Sequence, residues 1–246
     1  LILAAIIPLS AQRGGRRTQG GGYRMGGYIP GLAASPYDAK FAIVRLWYPM
    51  YPGWSYDYPD MEQHLNMILP EITAITPSPN GGNIFRMDDP ELLKYPVAYL
   101  SEPGYWFPTD AEAEGLREYI TKGGFLIVDD FHFEEEWVVF ERAMRKVLPQ
   151  AIIEPLDVTH PVFNSFFPIM TLKVPYPGAL GERGLMGEFF GIHDKNDPAN
   201  RLAVVIGYNM GIGDYIEWSP NGTYAVAPTN EAYKFMINYL IYGLTH

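Results

Sequence analysis

The sequence predicts an α/β fold, a doubly wound three-layer α/β/α sandwich of the flavodoxin-like kind built on a mostly parallel sheet. Three observations predict it. Short apolar runs recur at 41–47, 97–100, 125–129 and 201–208. Amphipathic segments of helical period lie between them. The runs are apolar throughout rather than alternating with polar residues, as strands covered on both faces must be. With 246 residues, 48% of them hydrophobic, the chain can bury one large core unaided by disulfides.

The elements follow in order. Phe41–Trp47 reads as the first strand. A Tyr/Pro/Gly loop, 48–60, leads to a helix with Met61, Leu65, Ile68, Leu69 and Ile72 at helical spacing. After the strand Val97–Leu100, Thr109 and Glu112 form a capping box that opens a second helix, and Gly123 closes it. The strand Phe125–Asp129 follows. A helix from about Glu134 to Leu148 presents Trp137, Phe140, Met144 and Val147 on one face. A strand is expected at Ala151–Glu154, then a Pro- and Phe-rich stretch, 155–191, with no regular pattern. The strand Arg201–Tyr208 exits through glycine-rich 209–214, and a final helix runs from about Asn230 to Leu244.

The ends and the charge narrow the function classes. Residues 1–12 are apolar, uncharged and end in small residues, which reads as the remnant of a signal peptide and predicts export to the periplasm or cell envelope. Residues 13–36 are rich in Gly and Arg and read as a flexible linker, leaving a single domain over 37–246. Such a leader and basic linker would also suit a peripheral or N-terminal membrane association. The net charge is −10, although Arg13, Arg16, Arg17 and Arg24 all precede the first acid, Asp38. The domain itself is therefore strongly acidic, which argues against a nucleic-acid partner. With no cysteine there is neither disulfide nor thiol chemistry.

Parallel strands deliver their exits to one edge of the sheet, where ligands of such folds bind. Four loops meet there on this reading: 48–60 with Trp54, Asp57 and Tyr58; 102–107 with Glu102 and Tyr105; 129–132 with Asp129, Asp130 and His132; and 209–214 with Asn209 and Asp214. Adjacent strand residues point to opposite faces, so one of Asp129 and Asp130 should face the crevice and the other cap the next helix. His132 suits proton transfer near neutral pH, and His160 is a further catalytic candidate, although its turn suggests bonding to backbone. His193 reads as solvated in a polar loop. The Asp/His spacing matches no metal motif, and 207–213 lacks the lysine and spacing of a phosphate loop, so no metal and no cofactor is expected.

The ordered set Arg45-Leu46-x-Tyr48, Trp54, Asp57-Tyr58-Pro59, Tyr95-Pro96, Tyr99-Leu100, Gly123-Gly124-Phe125-Leu126-x-Val128-Asp129-Asp130, His160-Pro161, Phe163 and 209–214 resembles the bacterial domain of unknown function 4159 over roughly 40–245. That resemblance implies a fold like the class I glutamine amidotransferases, in exported or membrane-associated proteins often encoded near MoxR-type ATPases and von Willebrand A-type proteins. The amidotransferase nucleophile is a cysteine in the turn after the central strand. Here that turn reads Asp129-Asp130-Phe131, so glutaminase activity is expected to be absent. The expectation is an exported, non-catalytic domain that binds an envelope protein partner or small ligand at the strand exits. The alternative is an Asp/His hydrolase, with or without an assisting metal, in the same crevice.

Overall fold

In the computed structural model the residues described are 36–49, 51–79 and 81–246, so the expected signal remnant and nearly all of the expected linker lie outside them. Seven strands form one sheet: β1 (Val44–Trp47), β2 (Asn83–Arg86), β3 (Val97–Ser101), β4 (Phe125–Phe131), β5 (Glu154–Pro155), β6 (Glu188–His193) and β7 (Leu202–Tyr208). Their order is β2-β1-β3-β4-β7-β6-β5. The first five in that order are mutually parallel, while β6 runs antiparallel to β7 and β5 antiparallel to β6. The helices are α1 (Asp60–Ile72), α2 (Asp110–Thr121), α3 (Phe133–Val147), α4 (Ala179–Glu182), α5 (Ile212–Glu217) and α6 (Val226–Thr245).

Strand alternation divides the core in two. Val44, Leu46, Ala98, Leu100, Leu126 and Val128 join Leu116 and Tyr119 of α2 and Phe140 and Met144 of α3 in one cluster. Ile43, Val97, Tyr99, Phe125 and Ile127 join Met61 and Leu65 of α1 and Phe235 and Leu240 of α6 in the other. Successive side chains leave opposite faces of a strand, so each face needs its own helical cover. On the first face, α2 is fixed at both ends as its sequence requires. The Thr109–Glu112 capping box is formed, and Gly123 takes φ +108 just beyond the C-cap.

Several expectations need correction. β2 and β6 have no counterpart among the expected strands: β2 spans only four residues, and β6 starts inside the Pro- and Phe-rich stretch, runs two residues past it and carries a glycine at its centre. The strand expected at 151–154 shrinks to Glu154–Pro155, because only those residues meet β6. The glycine-rich exit after β7 winds into α5, and α6 begins at Val226 with Pro228 in its first turn, where proline's missing N–H costs no helical bond. Among the described residues no helix is long and apolar enough to cross a membrane.

Candidate functional site

The four strand exits meet at one edge and are tied by backbone as well as side chains. Tyr48 Oη donates to the carbonyls of Ser101 (3.0 Å) and Glu102 (2.6 Å). Glu102 N–H donates to Asp129 O (3.1 Å), Asp130 N–H to Met210 O (2.9 Å), and Asn209 N–H to Phe131 O (2.9 Å). Four residues at this edge hold left-handed backbone without being glycine: Glu102 (φ 53), Asp130 (φ 60), Phe133 (φ 63) and Asn209 (φ 52). Such conformations cost on the order of 1–3 kcal/mol each and persist only where the surroundings hold them. Asn209 is one of the holds, since its Oδ1 accepts the Phe133 N–H at 3.1 Å.

Beneath this edge lies a sealed ionic network centred on Arg45, which is fully buried in strand β1. Its Nε donates to Glu62 Oε1 (2.8 Å), and its Nη1 donates to Asp57 Oδ1 and to Trp54 O (2.9 Å). The guanidinium carbon lies 4.8 Å from the Tyr99 ring centre and 5.6 Å from that of Tyr58. Burial opposes the charge on Arg45, but Asp57, Glu62 and Tyr99 outweigh it and hold the guanidinium's pKa above its ordinary value. Burial pushes Glu62 up to about 7 despite Arg45, with the Asp57 charge adding to the rise.

Asp129 is wholly buried at the end of β4. Its Oδ2 accepts from Tyr99 Oη (2.8 Å) and from Gly213 N–H (3.0 Å), while among the described residues its Oδ1 has no hydrogen-bond partner. Burial first and the Asp130 carboxylate second push Asp129 up to about 8, so it holds a proton at neutral pH. Gly213 is required at this point: a Cβ there would collide with Asp57 Oδ2 and stand 2.6 Å from Tyr99 Oη. Asp57, Tyr99, Asp129 and Gly213 thus form one contiguous knot between β3, β4 and α5.

The remaining site residues divide by position. Asp130 accepts from Tyr176 Oη at 2.9 Å and is not a helix cap. The N-cap of α3 is His132, whose N–H is taken by Glu136 Oε2 (2.7 Å), so the helix is capped by its own glutamate. His132 is half-buried beside Asp130, its ring 5.1 Å from that of Tyr176. Asp214 is buried in the first turn of α5, Trp54 is buried, and Tyr105 is 38% exposed with its ring stacked on Tyr51 at 3.9 Å.

His160 does not join them. It packs against His193, which pairs with Leu202 at the start of β7, whereas Asn209 follows the end of that strand, about 20 Å away at strand rise. The expected backbone bond of His160 is present, with Val162 N–H donating to Nδ1 at 3.1 Å. His193 is not solvated: it is buried, with Nδ1 2.7 Å from Glu154 Oε1 and Nε2 3.2 Å from His160 Nε2. The cause is β6, which carries His193 into the sheet. Among the described residues no group of three or more His, Asp or Glu side chains is arranged to hold a metal ion.

Arg45, Glu62, Tyr99, Tyr176 and Gly213 were not among the sequence-predicted site residues. Arg45 left a signal: an arginine inside an apolar strand run must find buried carboxylates, because unpaired charge is not tolerated there. No curated protein matches the chain in sequence. The residues of this edge, from Arg45 through the Asp129-Asp130 pair to Asp214, all fall within residues 40–244, which match the family described as domain of unknown function (DUF4159), and the chain belongs to that family.

Proposed function

We propose that this is an exported, non-catalytic binding domain of amidotransferase-like descent that takes an extended segment of an envelope protein at the exit edge of its sheet. One observation carries the reading: the acids of the edge are committed within the fold, while aromatic side chains beside them are left exposed. Asp57 is paired with Arg45, and Asp129 is bonded to Tyr99 and Gly213. A carboxyl held protonated at neutral pH is a poor nucleophile and a poor metal ligand. Tyr105, Phe107 and Phe133 are meanwhile 38%, 60% and 46% exposed around the same edge. Exposed aromatics beside a polar rim suit protein recognition. The apolar residues 1–12 supply the argument for export.

The test is retention of an envelope partner by the wild type and by a Tyr105→Ser/Phe107→Ser variant with unchanged thermal unfolding. The partner is then purified and its affinity measured directly. A loss of at least tenfold in the variant is expected, and equal affinity sinks the reading.

One observation favours the hydrolase alternative. Asp130 holds φ 60 at the bulge near the C-terminal end of the central strand β4, three residues before α3 and close to where α/β hydrolases present a nucleophile. His132 stands two residues on. A screen of carboxylic and phosphate esters decides it: turnover abolished by Asp130→Asn but kept in Tyr105→Ser/Phe107→Ser would replace the binding reading.

A further inference from the structure

A groove of about 660 Å³ follows α6 from Ala227 to Ile237. The helix rises about 15 Å over that span. None of the exit-edge residues lines the groove. Ile68 and Ile72 line it from α1, and Phe167, Val174 and Pro175 line it from the segment before α4. That segment is fastened in place. Asn238, buried in α6, accepts the N–H groups of Phe166 (3.0 Å) and Phe167 (2.7 Å). Its amide donates to the carbonyls of Phe163 (2.9 Å) and Phe167 (2.8 Å), and Tyr215 Oη donates to Pro175 O (3.1 Å). The groove is therefore formed before anything enters it, which keeps the cost of binding low.

The lining sets the chemistry of a guest. The side chains of Ile68, Ile72, Phe167, Val174, Pro175 and Ile237 carry no hydrogen-bond donor or acceptor. A peptide laid against them would bring backbone N–H and C=O groups that they cannot bond. A hydrocarbon chain brings none. Charge then selects its head. The whole chain has 28 acids against 18 lysines and arginines, yet the groove reverses that balance, with Lys173 and Lys234 against Glu231. Glu231 is already taken by Lys234 Nζ at 2.6 Å. Among the described residues Lys173 forms no ion pair. An apolar trough with one unanswered ammonium is complementary to an amphiphile with an anionic head.

We infer that this groove binds a free long-chain carboxylic acid, its hydrocarbon chain laid along α6 against the apolar lining and its carboxylate at Lys173. The inference does not rest on the binding function proposed above, because the two sites share no residue. Each methylene fully covered contributes about fourfold in affinity. The exposed charge pair adds at most about fivefold.

The probe is dodecanoate, titrated below its micelle concentration into the full chain and followed by NMR. Dodecyltrimethylammonium carries the same chain on a cationic head, which the net charge of −10 favours over the protein as a whole. Dodecanoate is expected to bind at least fivefold tighter than the cation. Octanoate, four methylenes shorter, should bind at least thirtyfold weaker than dodecanoate. Lys173→Gln should weaken dodecanoate at least threefold while Lys173→Arg keeps it. Ile72 is 39% exposed and outside the core, so Ile72→Asp should weaken dodecanoate at least tenfold with the melting temperature unchanged. A preference over the cation below fivefold, or no effect of Ile72→Asp, overturns the inference. Three other occupants have their own outcomes, and each also overturns it. Sedimentation with phosphatidylglycerol vesicles that Ile72→Asp abolishes, without binding of dodecanoate, assigns the groove to a membrane surface. A dimer that Ile72→Asp dissolves and dodecanoate leaves intact assigns it to a second copy. A tenfold gain in dodecanoate affinity in Ile6→Asp/Leu9→Asp assigns it to the chain's own apolar segment.

Discussion

Replacing Asp129 by asparagine should remove most of one pH dependence of stability and leave the fold intact. Asp129 ionises near 8 in the folded protein and near 3.9 in an unfolded chain. Between those values the folded state keeps a proton that the unfolded chain has released. Stability from this group is therefore full below about pH 4 and is lost steadily as pH rises through about 8. The loss from pH 5 to 9 spans about three pH units at 1.36 kcal/mol each, or about 4 kcal/mol, for a group raised to about 8. The amide is a near match for the protonated acid. Its oxygen can take the Tyr99 and Gly213 bonds now made by Oδ2, and its NH2 replaces an O–H at the unpartnered Oδ1 position. At pH 5 the variant should be the less stable by no more than about 1–3 kcal/mol, since the acid leaves one donor unpaired and the amide two. At pH 9 the variant should be the more stable by a few kcal/mol. Urea unfolding followed by the fluorescence of the five tryptophans reads both proteins at pH 5, 7 and 9. Glu62 contributes its own slope to each and cancels in the difference. If that difference changes by less than about 1 kcal/mol across the range, Asp129 is not held protonated and the reasoning fails.

Two further outcomes follow from the buried charges. Arg45→Met should cost about 3–5 kcal/mol in urea unfolding, because it leaves Asp57 and Glu62 buried without their cation. Adding Glu62→Gln should recover part of that, and a surface-sized loss of less than about 0.5 kcal/mol would contradict the network. At the other edge, Val162 N–H donates to His160 Nδ1, so protonating that nitrogen sacrifices a hydrogen bond. Burial, and then His193, hold His160 below its usual pKa. The contribution is therefore complete above about pH 6.5, the unfolded value, and is lost as pH falls through the folded one. The melting-temperature gap between wild type and His160→Ala should narrow from pH 7 to pH 5. A constant gap would show that His160 does not titrate with the fold. Asp157 and Glu154, whose charges favour protonated His160, set how low that fall occurs.

Much of this protein follows from local pattern. The strands at 44–47, 97–101, 125–131 and 202–208 and the helices α1, α2 and α3 are written in runs of apolar residues and in their periods, and the Thr109–Glu112 box and Gly123 mark the limits of α2. Parallel strands share an exit edge, so the sequence also determined that Asp57, Glu102, Asp129 and Asn209 would be neighbours. It could not determine which way each side chain faces once there. Burial of Asp129 depends on Tyr99 from β3 and Gly213 from α5 arriving at the same point, two contacts 30 and 84 residues away in the chain. The role of Asp130 likewise depends on Tyr176, which lies in a stretch without regular pattern. His193 reads as a loop residue until β6 pairs with β7 and draws it inside. Hydrophobic periodicity fixes which elements form because it is a local property of the chain. Protonation, pairing and exposure of the edge residues are properties of a shared interior, and only the tertiary structure brings that interior together.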